Sequence, residues 1–248
     1  MLDYRGFCYL DVEKTGSTFV RGFLTAHAHG EPLDDTKHRV PRWAFRRRKF
    51  YFASARDPFD AYASLYSFGC DGKGALRSHL WRSEAEILAA YDYTEAGFHH
   101  WLEAMLSPER RALLPPSTLP FQNPHIGLMG TRFLRQTLPL ARWIIPRAKS
   151  AEELRRAYAR LGLPRAVLRQ EQLNADLAAL VSGPLARFMR DPHAAAEALR
   201  TAADAGPAVN ASDRSLVLDP GRMPSGLAQR LRDVEWFHYD VLGYPPVA

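Results

Sequence analysis

Residues 7–24 read FCYLDVEKTGSTFVRGFL, an apolar run that ends at a lysine, a short polar turn, and then apolar residues at helical spacing. Phe7 to Val12 is the pattern of a buried strand, and Ser17 onward that of an amphipathic helix. A strand that turns sharply into a helix presents backbone N–H groups at the helix start, where the macrodipole favours an anion. Lys14 adds a positive charge at that place, and Thr15, Ser17 and Thr18 add hydroxyls. On this stretch alone, a lysine at a strand end before a Ser/Thr-capped helix reads equally well.

The nucleoside-triphosphate pattern GxxxxGK[ST] does not fit this turn. Cys8 stands where its first glycine belongs, Glu13 precedes the lysine, and Gly16 follows it. Outward along the chain, Phe50 to Ala55 (FYFASA) is a second buried strand, and it leads into RDPFDAYASLYSFG. Pro58 suits a first helical turn there and Gly69 a helix end. Ligands of open parallel sheets bind beyond the carboxyl ends of the strands, so Arg56, like Lys14, lies where a polyanion is held. Ser64, eight positions on, falls about two turns along the helix. An arginine fork and a hydroxyl suit a terminal phosphate. An ion pair of Arg56 with Asp57 or Asp60, and a packing role for Ser64, are the plainer alternatives.

Further along, TEAGFHHWLEAML is helical, with breaks at Ser107-Pro108 and Pro115-Pro116. ARWII (141–145) is a strand candidate; Ser150 and Glu153 form a capping box before AEELRRAYARLG; AVLRQ is a strand leading into the helix EQLNADLAAL. The segments Cys70 to His79 and Pro115 to Pro124 read as loops, and Pro220 to Tyr239 as one more helix. Strands alternating with helices predict an α/β protein with a parallel sheet covered on both faces. With no repeat, low-complexity segment or linker in its 248 residues, the chain reads as a single domain spanning 1–248.

The composition limits the function classes. The hydrophobic fraction of 46% and charged fraction of 24% are ordinary for a globular protein. The net charge of +6, with a pI near 9.5, favours an anionic ligand. It is not gathered into long basic tails, and no nucleic-acid partner is expected. Cys8 and Cys70 form neither a disulfide framework nor a metal spacing, no apolar stretch is long enough to span a bilayer, and no signal-peptide layout opens the chain; the expectation is a cytoplasmic protein.

Taken together, VEKTGSTFVRGFL resembles the 5′-phosphosulfate loop of sulfotransferases that use 3′-phosphoadenosine 5′-phosphosulfate (PAPS), written PKTGST or PKTAGT. FYFASARDPFDAYASLY is similar to their 3′-phosphate motif, an apolar strand followed by RDPxxRxxSxY. AVLRQEQLNADL resembles the pattern around R-x-E-x-L, and VNASDRS…VEWFHYDVLGY the closing segment. The resemblance implies a three-layer P-loop-like α/β fold, its central parallel sheet flanked by helices, with PAPS as donor, no metal, and a sulfate ester as product. Lys14, Thr15, Gly16, Ser17 and Thr18 would grip the 5′-phosphosulfate, Arg56 and Ser64 the 3′-phosphate, and Ser212 and Arg214 would close over the donor. Three positions depart from the family: Glu13 replaces a proline, so its side chain is expected to point away; Ala61 replaces an arginine; Gln170 replaces a tyrosine near the adenine.

Sulfuryl transfer shares the demands of phosphoryl transfer: in-line geometry, charge stabilisation at the leaving oxygen, and a base for the acceptor hydroxyl. Lys14 is the residue expected to stabilise the leaving phosphate. His38 is the candidate base, since an imidazole accepts protons well near neutral pH and general-base catalysis contributes about 10²–10⁴-fold. Glu13 and His27 are rival bases, and His99 and His100 read as helix surface. The basic run Arg46 to Lys49, with Arg39 and Arg42, reads as a solvated face or as a groove for an anionic acceptor; Trp43 in the same segment reads first as a core residue and second as a platform for a sugar ring. The expected acceptor is a hydroxyl on a carbohydrate or small metabolite. Two alternatives stay open: a P-loop kinase or nucleotide hydrolase, and a non-catalytic nucleotide- or polyanion-binding module.

Overall fold

A computed structural model describes residues 1–39, 48–80, 84–107, 118–204 and 218–246. In chain order its elements are β1 (Leu2–Asp3), β2 (Phe7–Leu10), α1 (Ser17–His27), β3 (Asp34–Asp35), β4 (Phe50–Ala55), α2 (Pro58–Cys70), α3 (Ala75–Leu80), α4 (Ala85–Ala89), α5 (Glu95–Leu106), α6 (Leu128–Thr137), α7 (Ala141–Ile144), α8 (Ala151–Leu161), β5 (Ala166–Arg169), α9 (Leu173–Ser182), α10 (Pro192–Asp204) and α11 (Ser225–Val234). They divide between two compact units. The first comprises the described residues of Met1–Arg56, Phe133–Leu140 and Tyr158–Asn210; the second comprises those of Asp57–Arg132, Ala141–Ala157 and Ala211–Ala248.

The first unit carries a five-stranded sheet in the order β3-β1-β2-β4-β5. Its centre is parallel, with Leu10 opposite Ala53 and Ala55 opposite Arg169. Every residue of β2 is buried, as are Tyr51 through Ala55 of β4, which is why both read as continuous apolar runs instead of alternating ones. The wholly parallel sheet expected from the sequence needs one correction: β1 pairs antiparallel with both β2 and β3. Strands of two residues are too short to leave a period in the sequence. Phe7, Tyr9 and Phe52 of the sheet pack with Val20 and Leu24 of α1, Leu177 and Val181 of α9, and Leu199 of α10.

The second unit has its own core. Tyr62, Tyr66, Phe98 and Trp101 meet in edge-to-face and tilted ring contacts and share a core with Leu227 and Leu231 of α11. Trp101 Nε1 donates to Tyr91 Oη at 2.8 Å, so the indole is buried with its polar atom satisfied. Glu235, fully buried, accepts from the Tyr62 hydroxyl at 2.7 Å and from the backbone N–H of Met129 and Gly130 at 3.0 and 2.9 Å. It therefore caps the first turn of α6 from a distant part of the chain. Burial first, and then this carboxylate, push the Tyr62 hydroxyl well above its ordinary pKa and keep it a donor.

Three local expectations are corrected. ARWII forms α7 and a 3₁₀ turn, Ile145–Arg147, instead of a strand. Ala141 and Ile145 are buried while Arg142 and Trp143 are exposed, the period of a helix; a five-residue segment is too short to separate helix from strand by pattern. Only the start of Cys70 to His79 is a turn, with Gly72 and Gly74 at φ 77° and 97°; the remainder is α3, which buries Leu76 and Leu80 one turn apart. The expected helix over Pro220 to Tyr239 is three pieces: a 3₁₀ turn Pro220–Arg222, α11, and a π turn Phe237–Val241. Pro224 stands at the N-cap of α11, since its missing N–H bars it from a helix interior. Trp236, Phe237 and His238 are buried in succession, which the wider π turn accommodates. The capping box of α8 forms in part: Glu153 N–H donates to Ser150 Oγ at 3.2 Å, while the Glu153 carboxylate reaches past Ser150 to Lys149 N–H at 2.8 Å.

His238 makes the second unit acid-sensitive. Burial pushes its pKa down to about 3, and Glu235 Oε2, 3.9 Å from Nδ1, is too far to hydrogen-bond and reverse that. Below the ordinary imidazole pKa of about 6.5 the unfolded chain takes up a proton that the folded chain refuses. Stability is therefore unaffected by this group above about pH 6.5 and is lost as pH falls from there towards 3, by about 1.4 kcal/mol per pH unit. At pH 5 the loss is about 2 kcal/mol. Denaturant titrations of wild type and His238→Phe between pH 7 and 5 test this: the wild-type curve falls more steeply by one proton's worth, and parallel curves would refute it.

Candidate functional site

The turn after β2 is built from two left-handed residues. Lys14 has φ 66° and Gly16 φ 77°, with Thr15 between them, and Gly16 is the N-cap of α1 with no side-chain cap bond. The Ser/Thr-capped reading of this turn is thus not what forms. Alternating hand along successive residues makes a concavity of backbone N–H groups suited to an anion. The first helical bonds, from Phe19 and Val20 N–H to Gly16 O, leave the N–H groups of Ser17 and Thr18 outside the helical ladder. A Cβ on Gly16 would lie 2.5 Å from Leu173 Cδ2 and 3.7 Å from Gln170 Cγ, so the start of α9 closes onto the turn through a glycine. Gln170 accordingly sits against the lysine turn.

Thr15 is only 4% exposed, and its hydroxyl is spent inward. It donates to Val12 O at 2.9 Å, so it accepts from Ser54 Oγ at 2.6 Å, and Ser54 in turn accepts from the Tyr9 hydroxyl at 2.6 Å. Burial pushes the Tyr9 hydroxyl above its ordinary pKa, which keeps this chain of hydroxyls protonated. What Thr15 offers an anion is its backbone N–H. Ser17 is buried, and Thr18 is exposed with its hydroxyl accepting from Lys37 Nζ at 3.2 Å.

The parallel register puts the ends of β2 and β4 side by side, each followed by a cation. Leu10 is opposite Ala53, so Lys14 is four residues and Arg56 three residues beyond a matched pair on neighbouring strands. Such strands run about 4.8 Å apart. Arg169, opposite Ala55, ends β5 on the far side of β4, and its N–H donates to Asp176 Oδ2 at 2.7 Å. Charges of both signs therefore follow the three parallel strands: Asp11, Glu13 and Lys14 after β2, Arg56 and Asp57 after β4, and Arg169 at the end of β5.

His38 is brought to the end of β2. Its backbone N–H donates to both carboxylate oxygens of Asp11 at 3.1 Å, and its ring Nδ1 lies 2.8 Å from Asp11 O. Asp11 is three residues before Lys14, at the end of β2, and fully buried. The rival bases are accounted for differently. The Glu13 carboxylate accepts from Arg135 Nη2 at 2.7 Å. His27 stacks on Phe23 at 4.5 Å in the last turn of α1, about 15 Å of helix away from the turn. His99 and His100 lie on α5 in the second unit, and His100 pairs with Glu86 at 3.5 Å.

Ser64 lies half-buried in the second turn of α2, in the second unit, where Asp57 caps the helix by accepting from Asp60 N–H and Pro58 opens it. Ala61 is buried on the same helix. Ser212 and Arg214 fall outside the described residues, as do Arg42, Trp43, Arg46 and Arg47 of the basic run. Of its described members, Lys49 is buried and paired with Asp3 at 2.5 Å, and Arg39 is paired with Asp34 at 2.5 Å. A cavity of about 570 Å³ in the second unit, lined by Arg155, Arg232, Trp236, Tyr239 and Tyr244 among others, contains none of the expected site residues.

Sequence reasoning missed Asp11, Arg135 and Gln136. Asp11 did leave a signal, a carboxylate closing an otherwise apolar strand; the other two meet the turn only through tertiary structure. Among the described residues no helix is long and apolar enough to cross a membrane. No protein-family model, no curated protein and no solved structure matches the chain.

Proposed function

We propose that the chain is a sulfotransferase of P-loop-like fold that takes the sulfuryl group from PAPS and delivers it to an acceptor hydroxyl on a carbohydrate or small metabolite. What supports this reading is the turn after β2 with Lys14 and Gly16 left-handed, Arg56 just past the end of the neighbouring β4, and His38 bonded to Asp11 at the end of β2. The chemistry of this set fits a phosphate-rich donor: backbone N–H groups and Lys14 for one anionic group, a guanidinium at Arg56 for another. When bound, PAPS would supply the activated sulfuryl group. The chain's own part is then to hold the donor's phosphates, to place a positive charge from Lys14 where negative charge grows, and to take the acceptor proton on His38. His38 suits that role because a carbonyl oxygen only accepts, so Nδ1 carries the hydrogen towards Asp11 O and Nε2 holds the lone pair.

Calorimetric titration with 3′-phosphoadenosine 5′-phosphate, against ADP and against ATP with magnesium, tests the reading. Wild type is expected to prefer the 3′-phosphorylated ligand, and Arg56→Ala to lose about tenfold of that preference, the worth of one charge-assisted hydrogen bond. ATP binding as well as or better than the 3′-phosphorylated nucleotide would overturn the assignment and favour a P-loop kinase. Selective binding with no sulfate transfer to any acceptor hydroxyl would instead leave a silent binding module.

A further inference from the structure

His38 occupies a conformation its own chemistry disfavours. At φ 56° it is left-handed, where a side chain with a Cβ costs of order 1–2 kcal/mol, and such strain persists only when the surroundings over-determine it. Three contacts do so here. The Asp11 carboxylate takes the backbone N–H on both oxygens, Asp11 O takes the ring Nδ1, and Gln136 Nε2 donates to His38 O at 2.8 Å. Asp11 is itself fixed: it is fully buried, and Arg21 Nη1 donates to Oδ2 at 2.8 Å while also pairing with Asp35.

Gln136 is the informative partner. It is 1% exposed on α6, and its Oε1 is buried with no hydrogen-bond partner among the described residues. A buried acceptor without a donor is unfavourable, so an aliphatic side chain of that length would cost the fold little. What the amide contributes is the bond that holds His38. The adjacent Arg135 ties Glu13 to the same helix, which removes the neighbouring carboxylate as a competitor for the imidazole.

We propose that Asp11 and Gln136 are positioning residues that clamp His38 left-handed, with Nδ1 protonated towards Asp11 O and Nε2 left as the basic nitrogen. The proposal rests on the reading of His38 as the base, but its signature is spectroscopic and does not depend on turnover. Loosening either side of the clamp lets the backbone relax out of the strained region and breaks the alignment of Nδ1 with the carbonyl. The ring then redistributes towards the Nε2–H tautomer.

The test is a long-range ¹H–¹⁵N correlation spectrum of the full chain, at a pH where the ring is neutral, with His38 assigned by the signal missing from His38→Gln. Wild type is expected to show the Nδ1–H form. Gln136→Met is expected to shift the tautomer ratio about fivefold towards Nε2–H, the effect of one lost hydrogen bond, while its melting temperature moves by no more than about 4 °C. Asp11→Asn is expected to shift the ratio in the same direction; should it fail to fold, Gln136→Met carries the test. An Nε2–H ring in wild type, or a ring unchanged in Gln136→Met, overturns the clamp. The calorimetric preference for 3′-phosphoadenosine 5′-phosphate, measured on the same samples, separates the two readings: its absence with the Nδ1–H signature intact removes the sulfotransferase assignment and leaves the clamp standing.

Discussion

Glu235→Ala is expected to lower stability by about 3–5 kcal/mol, the scale seen when one partner of a buried charged network is removed. At this chain length that corresponds to a fall in melting temperature of about 6–20 °C. The reason lies in what the carboxylate leaves behind. Tyr62 Oη and the N–H groups of Met129 and Gly130 would each lose their acceptor inside a core, at roughly 1–3 kcal/mol apiece before relaxation. Water does not easily replace it, because Glu235 has no exposed surface and lies so close to Gly127 that a Cβ there would come within 2.2 Å of Oε1. The helix dipole adds to the loss, since a negative charge at the first turn of α6 is removed. Glu235→Gln keeps the volume and one acceptor but turns an NH₂ towards one of the donors, so a smaller loss of about 1–3 kcal/mol is expected. Thermal melts followed by circular dichroism check both. A Glu235→Ala protein that melts with wild type would show that the α6 turn is held by something else.

What could be read from the sequence follows a physical division. β2 and β4 were legible because central parallel strands are buried on both faces and appear as unbroken apolar runs; β5, an edge strand with only Leu168 buried, was legible because a short apolar run leads there into a helical pattern. The turn between Lys14 and Gly16 could be located in the sequence because strand, turn and helix are contiguous there. Its hand could not: nothing in the letters shows that Lys14, a residue with a Cβ, takes the conformation usually left to glycine. β1 and β3 were invisible, since two residues carry no period. ARWII was misread because five residues, four of them apolar, fit a strand or a helix, and only the packing of Ala141 and Ile145 decides. The clamp on His38 joins residues 27 and 98 positions apart, and such pairings depend on how α6 and the β2 turn meet in space. His38 itself was singled out by residue type, and the contacts that give it a defined tautomer emerge only with the fold.

Lys14 offers a way to separate charge from backbone at the centre of the proposed site. In most anion-binding turns, replacing the lysine confounds two effects, because the substitution also perturbs the fold. Here the residue is left-handed at φ 66°, so Lys14→Gly removes the ammonium and relieves the backbone together. Relief of a left-handed Cβ is worth about 1–2 kcal/mol. The extra freedom that glycine gives the unfolded chain offsets about 0.5–1 kcal/mol of it. Lys14→Gly is therefore expected to exceed Lys14→Ala in stability by up to about 1.5 kcal/mol. Binding of 3′-phosphoadenosine 5′-phosphate should report on the charge instead. Losing a charged donor to a phosphate costs about 1.5–3 kcal/mol, a 10- to 150-fold weakening, and the residual affinity should fall less steeply with salt than that of wild type. Lys14→Ala, which keeps the strain and removes the charge, should bind as weakly as Lys14→Gly and be the less stable of the two. Calorimetry and thermal melts on the three proteins distinguish the cases: unchanged affinity in Lys14→Gly would place the anion elsewhere, whereas a large loss of stability would make the lysine a structural residue of the turn. A loss of affinity without a loss of stability assigns the ammonium to the ligand, and the two left-handed residues around Thr15 to the cradle that holds it.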